Sequence, residues 1–176
     1  MAPIFIISGP PGAGKSSLAD ALLQRFPFGI HLPVDDMRDM VVSGRADPVP
    51  TWTEETTRQF QLARTSMAEI AARYAAAGFA VAIDDIIFPG DTDLFFGFPG
   101  FEVQRILLLP ALETMRRRNS ERTNKHFDTS ILDETIIALH EAMQSELFNK
   151  DGWIVIDSSA LSLDETVDEV LRGIKS

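Results

Sequence analysis

Gly9-Pro-Pro-Gly-Ala-Gly-Lys15-Ser16 sets a lysine and a hydroxyl directly behind a glycine-rich turn, at the spacing G-x-x-x-x-G-K-[ST]. Glycines let backbone N–H groups wrap a phosphate, and a following helix adds positive potential at its N-terminus. Lysine at this spacing reaches β- and γ-phosphates, and the serine hydroxyl can ligate Mg²⁺. The run Gly9, Pro10, Pro11, Gly12, Ala13, Gly14, Lys15, Ser16 and Ser17 is therefore expected to hold a nucleoside triphosphate. A second group is Val34-Asp35-Asp36-Met37-Arg38. A carboxylate here can orient an acceptor hydroxyl and take its proton, and Arg38 can anchor the acceptor or an anion. Both aspartates also suit the first turn of a helix running through Met40 to Val42, so one is expected as the base and the other as a cap. A third pair, Asp84 and Asp85, ends the apolar run Val81-Ala-Ile. Either can serve Mg²⁺ through water, but adjacent strand residues point to opposite faces, so only one of them can meet the site.

Cations concentrate in one stretch. Between Arg105 and Lys125 stand Arg105, Arg116, Arg117, Arg118, Arg122 and Lys125 against only Glu113 and Glu121, inside a chain of net charge −10. A helix C-terminus accounts for part of this, since the macrodipole favours cations there. Arg118-Asn-Ser-Glu-Arg122 also reads as a mobile segment able to fold over bound phosphates, where Arg122 would neutralise transition-state charge.

These groups need a scaffold that brings them to one edge. Apolar runs at Pro3–Ser8, Ile30–Val34, Phe79–Ile83, Val103–Leu109 and Trp153–Ile156 read as five strands, and their lack of polar alternation suits burial on both faces. Helical spacing appears over 14–26, from a capping box of Thr51 and Glu54 to Gly78, over 111–118 and 133–147, and after Ser162 with Glu165. Alternating strands and helices predict a parallel sheet with helices on both faces and ligands at the carboxyl ends of the strands. The whole of 1–176 is expected to form one domain, with a lid over about 116–130.

Composition removes several alternatives. There is no cysteine, so thiolate catalysis and Cys-ligated zinc are excluded, and His31, His126 and His140 are too scattered for a histidine cage. An acidic chain repels nucleic acid and anionic membrane at long range. Met1-Ala-Pro-Ile-Phe-Ile-Ile lacks a positive n-region, and no stretch approaches the length of an apolar membrane span, so the expectation is cytoplasmic.

Taken together, the phosphate loop, Asp35-Asp36-x-Arg38, Asp84-Asp85 and Arg118-Asn-Ser-x-Arg122 resemble the P-loop polynucleotide 5′-kinases and related small kinases, including the chloramphenicol phosphotransferase and zeta-toxin groups. The resemblance implies a three-layer α/β P-loop NTPase of nucleoside-kinase type, with a central five-stranded parallel sheet. It implies Asp35 as the base, Arg38 as an acceptor-side contact, Lys15 and Ser16 as nucleotide contacts, and Asp85 as an active-site support, here paired with Ser16 for the metal. Arg122 becomes the lid arginine with Arg118 at its start, and Asp157-Ser158-Ser159 borders the adenine.

ATP and Mg²⁺ are the implied partners of the site. Between Val41 and Trp52 only Arg45 is positive, which does not suit a nucleic-acid channel. Pro48, Pro50, Trp52 and the run Phe95–Phe101 suggest apolar walls for a small hydroxyl acceptor, although Phe95–Phe101 equally suits ordinary core under a long loop. The expectation is an ATP-dependent phosphotransferase acting on such an acceptor. The alternatives are a polynucleotide 5′-hydroxyl kinase and a non-catalytic ATP-binding switch, and the Asp35-Asp36 pair disfavours the switch, which needs no acceptor-side base.

Overall fold

Ile4 and Ile6 turn to one face of the first strand and Phe5 and Ile7 to the other, and all four are buried, so this strand must lie between two helical layers. The computed structural model describes residues 2–121, 133–144, 148 and 152–174. Its strands are β1 (Ile4–Ser8), β2 (Gly29–Pro33), β3 (Ala80–Asp84), β4 (Val103–Leu108) and β5 (Trp153–Ile156). They form one parallel sheet in the order β2-β3-β1-β4-β5. The described helices are α1 (Lys15–Leu23), α2 (Val34–Asp39), α3 (Glu54–Ala76), α4 (Pro89–Phe95), α5 (Leu112–Ser120), α6 (Asp133–Met143) and α7 (Leu163–Ile174).

Ile4, Ile6, Val81 and Ile83 pack against Ala63, Met67 and Ala71 of α3. On the opposite face Phe5, Ile7, Ala82 and Ile106 meet Leu18 and Leu22 of α1, Met115 of α5 and Val167 and Val170 of α7. The expected α/β architecture, with five parallel strands between two helical layers, is the one found.

Local differences have local causes. Helix α3 begins at Thr53 rather than Thr51: Thr53 Oγ1 accepts the Thr56 N–H at 3.1 Å, and the Thr53 N–H donates to Thr56 Oγ1 at 3.2 Å. A threonine hydroxyl at the third helical position thus does what a glutamate carboxylate does in the usual capping box, and Glu54 and Glu55 fall in the favourable first turn. Ser162 and Glu165 form the expected reciprocal cap of α7, with the Ser162 N–H donating to Glu165 at 2.8 Å and the Glu165 N–H to Ser162 Oγ at 3.3 Å. Helix α2 stops at Asp39 and does not run through Met40 to Val42, because Met40 and Val42 are 69% and 99% exposed and have no core to cover. Residues 118–120, expected at the start of a mobile segment, instead complete α5, where Asn119 is buried. The segment after β3 holds a helix that the apolar pattern did not suggest, α4, with Pro89 in its first turn.

Phe96 and Phe98 are core: both are buried, their rings stack at 6.1 Å, and they join the cluster beneath α3. Phe96→Ala is expected to lower unfolding free energy by about 3–5 kcal/mol in denaturant titration. Leu94→Ala, two residues away but 72% exposed, should stay within about 0.5 kcal/mol of the parent.

Candidate active site

The parallel register sets the level of every group at the carboxyl edge. Ile7 and Pro33 both lie opposite Asp84, so the ends of β1, β2 and β3 converge where the glycine loop leaves the sheet. Ser8 pins this corner from within, its hydroxyl donating to the Ile87 carbonyl at 2.8 Å and accepting the Ile87 N–H at 3.1 Å.

The loop then makes a tight passage between helices. Gly12 has φ +82°, and a Cβ there would lie 2.4 Å from the Met115 carbonyl oxygen, so only glycine fits between the loop and α5. Gly14, at φ +100°, caps α1 in the left-handed region and turns the first N–H groups of that helix toward the loop's interior. The Lys15 ammonium donates to the carbonyls of Gly9 at 2.8 Å and Pro10 at 3.2 Å, which suspends its charge over the same concavity. Backbone donors, a helix N-terminus and an ammonium converging on one hollow fit a polyphosphate.

Ser16 and Asp84 form the next layer. Ser16 Oγ donates to Asp84 Oδ2 at 2.6 Å, while His31 Nε2 lies 3.4 Å from Asp84 Oδ1. The other imidazole nitrogen, Nδ1, lies 2.9 Å from Asp20 Oδ1. Burial alone would push the Asp84 carboxyl up, but His31, the Ser16 hydroxyl and the Lys15 charge outweigh it and hold the group below its ordinary value. Burial likewise lowers His31, but the two aspartates prevail and raise it. An ionised carboxylate beside a serine hydroxyl is the hard-oxygen donor set that fits Mg²⁺.

Asp85, expected to pair with Ser16 for the metal, points elsewhere. Its Oδ2 accepts from Arg64 Nε at 2.6 Å and its Oδ1 from the Ile86 N–H at 2.7 Å, while Arg64 also donates to the Ile86 carbonyl at 3.1 Å. Burial pushes Asp85 up against the pull of Arg64, and the Asp35 charge adds to the rise. Asp84 and Asp85 therefore divide the work, one turned to the phosphate loop and one to α3, as strand alternation requires.

On the far side of β2, Asp35 is exposed in the first turn of α2 and lies 3.6 Å from Arg38 Nη1. Asp36 occupies the same turn. Arg38 itself is only 3% exposed: it donates to the Ala46 carbonyl at 2.8 Å and lies 3.8 Å from the Phe60 ring centre. Burial lowers its affinity for the proton without threatening its charge. Trp52 stacks on Phe60 at 5.0 Å, so guanidinium, phenyl and indole form one column.

Arg118, at the end of α5, lies against the phosphate loop. It donates to the Ala13 carbonyl and to the Ser158 carbonyl, both at 3.2 Å, and so ties the phosphate loop to the turn after β5. In that turn Asp157 accepts from the Ser159 N–H and hydroxyl, bonds that lower its pKa, and Ser159 Oγ accepts from the Ala111 N–H at 2.7 Å. Arg122 and the residues up to 132 lie outside the described residues. Arg64 and His31 were not singled out from the sequence. A signal existed for Arg64, a charged residue four places after Phe60 and three before Met67, on the buried stripe of α3.

The protein family described as AAA domain matches residues 4–147. No curated protein matches the chain significantly. Among solved structures, a sugar kinase from a Janibacter species superposes with TM-score 0.71 at 18% identity, covering 99% of this chain and 95% of that one. The tunicamycin resistance protein of Deinococcus radiodurans gives 0.67 at 16% identity over 99% and 96%. Shikimate kinase of Bacteroides thetaiotaomicron gives 0.64 at 14% identity over 99% of both chains. At such identities the likeness is one of fold. None of the described helices is long and apolar enough to cross a membrane.

The His31 contacts carry a pH signature. A group whose pKa is raised by folding adds stability that is complete below its unfolded value, near 6.5, and lost as pH rises through the folded value. In metal-free protein, His31→Gln should therefore narrow its stability deficit as pH climbs from acid to above neutrality, read by thermal melts across that range. A deficit independent of pH would show that the imidazole acts through packing alone.

Proposed function

Since the chain belongs to the AAA domain family, we propose that it is an ATP-dependent P-loop kinase that moves the γ-phosphoryl group of ATP to a hydroxyl of a small organic acceptor. The observation that carries this reading is the meeting of three strand ends: Lys15 and Ser16 follow β1, Asp35 follows β2, and Asp84 closes β3 beside Ser16. A binding switch needs the first and third of these but has no use for an exposed carboxylate on the acceptor side.

In this reading the N–H groups of the loop from Gly9 to Ser17 hold the triphosphate, and Lys15 moves from the Gly9 and Pro10 carbonyls to the β- and γ-phosphates. Ser16 and Asp84 would hold Mg²⁺, which when bound offsets charge on the phosphate oxygens. The Asp85 carboxylate, engaged by Arg64, supports the acceptor wall instead. Asp35 accepts the proton of the acceptor hydroxyl while its oxygen bonds to the γ-phosphorus. The bond from that phosphorus to the bridging oxygen breaks, and ADP leaves with the electron pair. Arg38 fixes the Asp35 carboxylate. Arg118 and Asp157 border the nucleotide base, and Arg122, which follows α5, closes over the transferring group. The whole of 1–176 works as one kinase domain, in the cytoplasm where ATP is supplied.

Two substitutions test the assignment. Lys15→Ala should lower ATP turnover by roughly 10²-fold or more and weaken triphosphate binding, measured by coupled ADP release and calorimetry. Unchanged turnover would defeat the phosphate-loop reading. Asp35→Asn should leave ATP binding intact while transfer to the acceptor falls by roughly 10²-fold or more. Asp36→Asn should cost about 1 kcal/mol or less of stability and little transfer. The reverse pattern moves the base to Asp36.

A further inference from the structure

Ser16 and Asp20 stand one turn apart on α1 and so share a face of that helix. His31 of β2 lies opposite Ala82, two residues before Asp84 on β3, so His31 and Asp84 point to the same side of the sheet. That is the side α1 covers, since Ala82 joins Leu18 and Leu22 in one core cluster. One turn of a helix and two adjacent strands therefore bring four polar side chains together. Ser16 Oγ donates to Asp84 Oδ2 at 2.6 Å, His31 Nδ1 lies 2.9 Å from Asp20 Oδ1, and His31 Nε2 lies 3.4 Å from Asp84 Oδ1. The circuit closes through the turn of α1 between Ser16 and Asp20.

Asp84 is the member whose orientation is hardest to fix. The terminal torsion of an aspartate is broad and roughly two-fold, so a carboxylate held at one oxygen can still turn its plane. Ser16 holds Oδ2. The other oxygen faces an imidazole that is itself anchored: the Nδ1 contact with Asp20 sets the ring, and the His31 side chain is only 15% exposed. Nε2 is buried and has no hydrogen-bond partner among the described residues, its 3.4 Å to Asp84 being longer than a normal bond. The ring is therefore a stop beside Oδ1 rather than a hydrogen-bonded strut. Asp20 ties that stop to the helix that carries Ser16, so the Ser16 hydroxyl and the Asp84 carboxylate keep one spacing and one orientation.

We infer that His31, anchored by Asp20, is a positioning residue that fixes the Asp84 carboxylate against Ser16 for a divalent cation. This rests on the reading above, in which Ser16 and Asp84 hold Mg²⁺, and adds a supporting layer to it. Groups that orient a metal-binding side chain without touching the metal change its affinity by roughly 10–100-fold when they are lost. Charge alone predicts a different pattern: loss of the Asp20 carboxylate would weaken cation binding, and loss of the His31 ring would not. Loss of a support weakens it in both cases.

The full chain is titrated with a non-hydrolysable ATP analogue by calorimetry, in chelator and at a series of Mg²⁺ concentrations. The parent should bind more tightly as Mg²⁺ rises. His31→Leu should raise the half-saturating Mg²⁺ roughly 10-fold or more while affinity in chelator stays nearly unchanged. Asp20→Ala, at a side chain 70% exposed, should shift it in the same direction by less, and carries the test if His31→Leu does not fold. Equal loss of affinity with and without Mg²⁺ would make His31 a structural residue and overturn the inference. So would a half-saturation point that fails to rise in either variant. Asp84→Asn separates the two layers. If it abolishes the Mg²⁺ effect while the His31 and Asp20 variants match the parent, positioning alone fails; if it too matches the parent, the cation site at Ser16 and Asp84 fails with it.

Discussion

The carboxylate of Asp84 is the point on which the site turns. It is buried at the end of β3, level with Ile7 of β1 and Pro33 of β2, and receives the Ser16 hydroxyl on one oxygen with His31 beside the other. A buried ionised group is costly unless its neighbours supply donors and opposite charge. Here β2 supplies His31, and the helix after the phosphate loop supplies Ser16, so satisfying one carboxylate fixes three strand ends relative to one another. Lys15 adds charge from the same helix. The corner is stiff for the reason that it is polar.

The neighbouring carboxylate, Asp85, does the corresponding work on the other face. Through Arg64 it joins the end of β3 to the middle of α3, and Phe60, one turn earlier on α3, carries Arg38 on one side and Trp52 on the other. Arg38 in turn meets Asp35 and the loop at Ala46. These ion pairs and ring contacts link the end of β3, α3, α2 and the loop at Ala46. The contacts to the phosphate loop and those to α3 thus diverge from two adjacent residues, Asp84 at the end of β3 and Asp85 just after it.

The sequence by itself determined the phosphate loop, the order of the strands and of the helices apart from α4, and the parallel sheet, because each is written in residues close together in the chain: G-x-x-x-x-G-K-S in eight positions, or apolar runs of four to seven. It also dictated that Asp84 and Asp85 must face opposite ways, since that follows from the pleat alone. Which of them meets Ser16 was decided by the tertiary structure. The answer depends on the register of β3 against β1 and on partners 68 and 21 residues distant, Ser16 and Arg64. The same holds for Arg118, whose targets at Ala13 and Ser158 lie 105 and 40 residues away, and which therefore read from the sequence as part of a mobile segment. Phe96 and Phe98 could be wall or core on composition, and only the packing beneath α3 resolved it. Local patterns fix what the neighbours in a chain can do; charges and rings find their partners through space, and a linear spacing carries no record of that distance.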